Sequence, residues 1–268
     1  MHEFYDKLLE LIKANSKLAL ATVVQTTGST PREVGAKMVV LVDGTTHGTL
    51  AGGKLELIVT QDAQLALQRN ENVLKEYTLK DENSGGIGAI CGGEAKVFIE
   101  IISQPDQLLI LGGGHIGLAL YRMGLELGFS VIVVDDRAEF SSQERFPGAV
   151  LLLNCPANDP RVKQLVNEDA YIVVITHEHK QDKLALKSLI DLDYKYMGMI
   201  GSKSKVKQTL SELEAEGVPR EKLNEIFTPI GLDIKAETPA EIAVSILAEI
   251  IYIKNTGLRS KHSLVNKL

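Results

Sequence analysis

The sequence contains no tryptophan, only two cysteines, and 5% aromatic residues among its 268 positions. Aromatics this sparse argue against a platform for stacking single-stranded nucleic acid. Two cysteines are too few for a secreted domain stapled by disulfides, and too few for the iron–sulfur clusters of a multicentre redox enzyme. Cys91 and Cys155 stand 64 positions apart, which excludes a CxxC pair and half of a zinc-finger pattern. Positive charge is not in surplus: 29 Lys and Arg against 35 Asp and Glu give a net charge of −6. A nucleic-acid binder needs a basic face to release counterions. No apolar run approaches the roughly 18 residues of a membrane span. The opening MHEFYDKLLELIKANS carries acids and no continuous apolar core, unlike a secretory signal. The expectation is a cytoplasmic globular protein with reduced thiols, no membrane contact and no nucleic-acid partner. At 44% hydrophobic and 24% charged residues it is ordinary for that class, and its length allows one or two domains.

The pattern changes near residue 104. Before it, the spacing of Phe4, Leu8, Leu11 and Ile12 predicts an amphipathic helix. Strands are predicted at Leu18 to Gly28, Lys37 to Val42, Val73 to Leu79 and Ala95 to Ile102. Asp43-Gly44 signals a hairpin, and a helical pattern follows Ala51-Gly52-Gly53. After the polar stretch Ser103 to Gln107, near-continuous apolar strands alternate with helices. Such strands belong to a parallel sheet covered on both faces. The predicted fold is therefore α/β: an N-terminal α+β domain, residues 1–104, and a C-terminal Rossmann-like domain, residues 105–268.

The clearest motif is LLILGGGHIGLALYRMGLELGFSVIVVDDR. A strand runs into Gly112, Gly114 and Gly117 in G-x-G-x-x-G spacing, a helix follows, and a second strand ends at Asp135. That order is the context a dinucleotide fingerprint requires. Gly112 permits the tight turn, Gly114 lets a pyrophosphate approach, and Gly117 lets helix and strand pack. Asp135 favours NAD over NADP, although Arg137 could accommodate a 2′-phosphate. Equally, the glycines can serve packing alone. The fourth strand of this half ends in THEHKQD, placing His177 and His179 where ligands of doubly wound sheets bind. They could hold a metal, move a proton, or belong to a polar loop with Asp182 as helix cap. Ser202 is a natural N-cap at the end of the fifth strand, and the lysines around it make a second helix start suited to a cofactor's anionic group, or simply a solvated cap.

In the first half, Arg32 follows Gly28-Ser29-Thr30-Pro31, and Lys54 follows Gly52-Gly53. Both segments could hold an anion, and both are also ordinary turns. Cys91 lies in a glycine-rich segment, five glycines between residues 85 and 93, which suggests a reachable thiol. Cys155, after an apolar run, reads as structural.

Together these segments resemble the xanthine dehydrogenase accessory (XdhC/CoxI) family. TTGSTPREVGAKMVV, HGTLAGGKLE and CGGEAKVFIEII match its N-terminal module. LGGGHIGLAL, VIVVDDRAEFSSQERFP, ITHEHKQDKLAL, MGMIGSKSKV and PIGLDIKAETPAEIAVSILAEII match its Rossmann module. The resemblance covers nearly the whole chain. It implies a factor that binds molybdenum cofactor (molybdopterin), protects it and inserts it into a xanthine dehydrogenase-type apo-enzyme, rather than the dehydrogenase itself. A cofactor-sulfurating protein and a second copy in a homodimer are the other expected partners. It implies contact of Cys91 with the metal or its sulfur, and phosphate held by Arg32, Lys54 and the Gly112–Gly117 loop; the candidate catalytic residues are Cys91 together with His177 and His179 of the strand-end loop. One position departs: the family commonly has cysteine where this chain has Lys54. An NAD-dependent oxidoreductase, with His177 or His179 as proton donor, is the alternative, and a nucleotide-sensing module a third.

Overall fold

The structure is a computed structural model that describes residues 2–14, 17–30, 32–79, 86 and 92–258. The chain divides into two compact units, Met1–Gln104 and Pro105–Leu268.

The first unit is an antiparallel five-stranded sheet, order β3-β2-β1-β5-β4. Its strands are β1 (Lys17–Thr27), β2 (Lys37–Leu41), β3 (Thr46–Thr49), β4 (Val73–Thr78) and β5 (Glu94–Ser103). Side chains alternate across a strand, and this alternation assigns the two helices to opposite faces. Leu18, Leu20 and Val39 pack on Leu8 and Leu11 of α1 (His2–Ala14). Ala19, Ala21, Val23, Met38 and Val40 pack on Leu55, Val59, Ala63 and Leu67 of α2 (Gly53–Arg69). The Asp43-Gly44 turn joins β2 to β3. β3 has no apolar alternation of its own and is set by pairing with β2.

The second unit is the predicted parallel sheet, order β10-β9-β6-β7-β8. The strands are β6 (Gln107–Leu111), β7 (Ser130–Val134), β8 (Leu151–Leu153), β9 (Ala170–Val174) and β10 (Tyr196–Met199). Their near-continuous apolar character follows from burial on both sides. One face, through Leu108, Ile110, Val131 and Val133, meets α3 (His115–Glu126) and α8 (Pro239–Thr256). The other, through Leu109, Leu111, Ile172 and Val174, meets α5 (His179–Leu189) and α6 (Lys203–Ala215). α8 starts with a capping box: Thr238 and Glu241 satisfy each other's backbone N–H groups, with Pro239 in the first turn. Two short helices, α4 (Pro160–Leu165) and α7 (Arg220–Asn224), complete the unit.

The polar THEHKQD segment is not loop throughout: α5 already begins at His179. Its first turn is polar and shows no apolar period, so the spacing of hydrophobic residues reveals only the later turns. No helix among the described residues is long and apolar enough to cross a membrane.

Candidate functional site

The strand order puts the crossover reversal at β6 and β9, whose carboxyl ends open the crevice where doubly wound sheets bind ligands. The glycine loop fills the β6 side. Gly112 has φ +124°, and a Cβ there would lie 2.3 Å from the Ile175 carbonyl oxygen. A Cβ on Gly117 would lie 2.1 Å from the Gly112 oxygen, so its hydrogen is what lets α3 approach the strand. Gly114 differs: a Cβ there meets nothing within 4 Å. It is the residue before α3, whose first N–H groups have no partner within the helix and suit an anion. His115, next to it, is exposed.

Gly113, outside the fingerprint spacing, is the most confined of the four, with a Cβ position 1.8 Å from the Phe140 carbonyl oxygen. Its N–H donates to Asp135 Oδ2 at 2.8 Å. Arg137 completes the clamp. Its Nε and backbone N donate to Asp135 Oδ1 at 2.9 and 3.0 Å, and its Nη2 donates to Oδ2 at 2.9 Å. Each carboxylate oxygen therefore accepts two hydrogen bonds from the protein. A ribose hydroxyl at Asp135 must compete with Arg137, and the exposed acid at this strand end is Asp136. Arg137 also lies over the Phe140 ring, 3.9 Å from its centroid. Arg145 donates from Nε to the Gly113 oxygen at 3.0 Å and from Nη2 to the Gly114 oxygen at 3.3 Å, adding positive charge to the loop.

Burial opposes the charged form of Asp135. The Arg137 side chain, the Arg137 N–H and the Gly113 N–H more than offset it and hold the carboxyl below its ordinary value. A depressed folded pKa stabilises above the unfolded value of about 3.9 and is lost as pH falls through the folded value. Asp135→Asn is therefore expected to cost about 2 kcal/mol at pH 7, with the gap to wild type closing below about pH 4. Urea midpoints measured from pH 7 to pH 3 check this. A gap independent of pH would mean the carboxylate charge contributes nothing.

The structure separates the two histidines. His177 lines the cleft with Gly112, Asp136, Cys155 and Thr176. Its Nδ1 is 3.7 Å from Asp136 Oδ1, and its Nε2 is 3.6 Å from Glu178 Oε1. His179 instead sits on α5 against α6, with Nδ1 3.2 Å from the Thr209 hydroxyl. A shared His-x-His site at the cleft is thereby corrected: the helix start at His179 turns the second ring away. Asp182 does not cap α5 either; the cap position is Glu178, which makes no side-chain capping bond. The Asp182 side chain is fully buried, accepts from Thr176 N at 3.0 Å and Thr176 Oγ1 at 2.6 Å, and pairs with Lys205 Nζ at 2.6 Å. Ser202 caps α6, its Oγ accepting from Lys205 N at 3.3 Å.

Cys155 lines the cleft but is 4% exposed. Burial, then Asp159, pushes its thiol pKa up, which disfavours the reactive thiolate.

In the first unit, the anion expected at the Gly52-Gly53 turn is already supplied by the chain. Glu56 Oε1 accepts from Leu50 N at 2.9 Å, Ala51 N at 3.1 Å and Gly52 N at 2.8 Å, and also from the Thr49 hydroxyl. Lys54 remains exposed on the first turn of α2, and Arg32 is exposed after the Gly28 turn. Pro31 and Cys91 lie outside the described residues.

A parallel sheet in this order, with a glycine loop leading into its first helix, defines a Rossmann-type domain. The sequence model described as the XdhC Rossmann domain matches residues 108–250, and that of the XdhC and CoxI family matches residues 11–78. The chain belongs to the XdhC and CoxI family. It is 34% identical over 97% of its length to Escherichia coli YqeB, of which it spans only 48%. It is 26% identical to a Bacillus subtilis protein named as a probable xanthine dehydrogenase subunit, covering 94% of this chain and 97% of that one. It is 21% identical to the Escherichia coli molybdenum cofactor insertion chaperone PaoD, covering 92% of this chain and 86% of that one. In fold it is similar to a Bacillus halodurans protein whose crystal structure is described as that of a xanthine dehydrogenase. The TM-score is 0.52 at 24% identity, over 93% and 95% of the two chains.

Proposed function

We propose that this protein binds molybdenum cofactor as cargo and inserts it into an apo-hydroxylase of the xanthine dehydrogenase type. The observation that carries the reading is the asymmetry of the glycine loop. Gly114 leaves the helix start open to a phosphate, while the acid that would take a nicotinamide ribose is clamped by Arg137 and Gly113. Anion holding without dinucleotide redox chemistry suits a carrier. Its relation to PaoD over most of both chains supports the same cargo.

In this reading the open start of α3 takes phosphate, and Ser202 at the start of α6 offers a second such position. His177 beside Asp136 borders the cleft and can accept or give a proton there. In the first unit, Arg32 and Lys54 are the cations for a phosphate. Cys91 is the soft ligand for molybdenum or its sulfur, a role neither a hydroxyl nor a lysine can fill.

The test is loading with cofactor, desalting, and assay of retained molybdenum, fluorescent pterin oxidation products and activation of an apo-hydroxylase. Wild type is expected to retain all three. Gly114→Val is expected to weaken binding at least about tenfold, roughly 1.4 kcal/mol, in a folded protein. Cys91→Ala is expected to lose molybdenum. A purified protein carrying a nicotinamide and no pterin would replace this reading with the NAD-dependent oxidoreductase.

A further inference from the structure

The C-terminal unit holds a second hollow, about 810 Å³, beyond the carboxyl end of β10. That is within the usual range of small-molecule sites. Ile200, Pro229, Ile230, Leu232 and Ile242 make much of its wall apolar. Among them stands Glu249 of α8, only 1% exposed.

A carboxylate buried this far needs donors. Tyr196 Oη donates to Glu249 Oε2 at 2.6 Å, and Gly231 N donates to the same oxygen at 2.9 Å. Burial, and then Glu249 itself, holds the Tyr196 hydroxyl pKa well above its ordinary value, so the tyrosine stays a donor. Among the described residues no donor reaches Oε1, and no lysine or arginine pairs with Glu249. One oxygen of a buried acid thus remains for something inside the hollow.

The mouth has the opposite character. Lys203, the first residue of α6, and Lys235 line it and are exposed. Asp233 lies with them, its carboxylate 3.0 Å from Lys235 Nζ. Two cations against one acid favour an anion at the mouth, assisted by the N-terminus of a 13-residue helix.

We infer that this hollow receives a 2-amino-4-oxo pteridine carrying a phosphate: ring edge on Glu249, phosphate at Lys203. The inference rests on the cargo reading above, takes the start of α6 named there, rather than that of α3, as the position of this phosphate, and places that cargo's ring. A carboxylate accepts hydrogen bonds and cannot donate them, so the occupant presents N–H groups at its inner end. The apolar wall calls for a flat uncharged body, and the lysines exclude an amine cation at the mouth. The 2-amino and N3–H groups of a pteridine supply adjacent donors. Guanine has the same edge. Adenine sets a ring nitrogen lone pair beside its amino group, facing the carboxylate with repulsion.

The experiment uses the full chain, neopterin triphosphate as a fluorescent probe, neopterin as its phosphate-free counterpart, and GMP and AMP as competitors. Glu249→Gln keeps the acceptor for Tyr196 and Gly231 and turns an amide N–H₂ toward the ring's own donors. Neopterin triphosphate is expected to bind it at least about tenfold more weakly, roughly 1.4 kcal/mol. Should that buried substitution fail to fold, Lys203→Ala, on an exposed residue, carries the test. It is expected to weaken neopterin triphosphate roughly three- to tenfold and leave neopterin unchanged. GMP is expected to compete and AMP to fail. Unchanged affinity in the folded variants, or AMP competing as well as GMP, overturns the site. GMP binding more tightly than either pterin reassigns the hollow to a guanine nucleotide and overturns the pteridine. If wild type binds no pterin at all, the cargo reading falls with the site. If wild type and both folded variants bind pterin equally, the site alone falls.

Discussion

Gly113→Ala is expected to destabilise the C-terminal unit by more than about 3 kcal/mol, whereas Gly114→Ala, one residue on, is expected to change stability by less than about 0.5 kcal/mol. The added methyl is the same; its surroundings are not. At Gly113 it meets the Phe140 carbonyl oxygen at 1.8 Å and the Phe146 ring at 3.3 Å. A backbone oxygen cannot rotate aside as a side chain can. The turn Ala138–Phe140 must move, and with it the Asp135–Arg137 clamp and the Arg137–Phe140 stack. At Gly114 the methyl enters open space at an ordinary φ of −63°. Urea denaturation of both variants checks the contrast. Equal midpoints would mean that the Phe140 turn gives way without cost.

Lys205→Met is the second large effect, about 3–5 kcal/mol. It leaves the Asp182 carboxylate, whose side chain is 0% exposed, without its cation. Thr176 still supplies two donors, but no charge. If uncompensated charge is the cause, adding Asp182→Asn to Lys205→Met is expected to recover about half the loss, because the neutral amide costs less to bury. A double variant no better than the single would assign the loss to the packing of the Lys205 stem. The pair ties α5 to the start of α6, and Asp182 also holds Thr176 of the loop after β9, so the loss is expected to loosen the His177 side of the cleft as well.

Neither effect is visible in the motif that announces the fold. The Rossmann unit is legible because its signals are local: strand, glycines, helix, strand and acid in sequence, then apolar strands at regular spacing. Gly113 escapes because the fingerprint names the glycines around it, and its constraint comes from Phe140, 27 positions on. Asp135 is legible as the strand-end acid, yet its occupation by Arg137 is a matter of side-chain direction that no periodicity carries. Asp182 and Lys205 are 23 positions apart, and only the sheet brings them together. Glu56 sits two residues past Lys54, where attention to cations passes over the acid. Glu249 is accessible in principle: a single acid inside the apolar run SILAEIIYI is an anomaly on a helix packed against a sheet. His177 and His179 look equivalent in sequence because the polar first turn of α5 hides the helix start between them.

The Glu56 turn has a kinetic consequence. Thr49, Leu50, Ala51 and Gly52 all donate to one carboxylate oxygen, so these bonds cannot be lost one at a time without weakening the geometry of the rest. The turn opens as a unit. Its amides, although near the surface, are expected to exchange with solvent hydrogen at a common rate set by departure of that single side chain, which amide exchange measured by NMR checks.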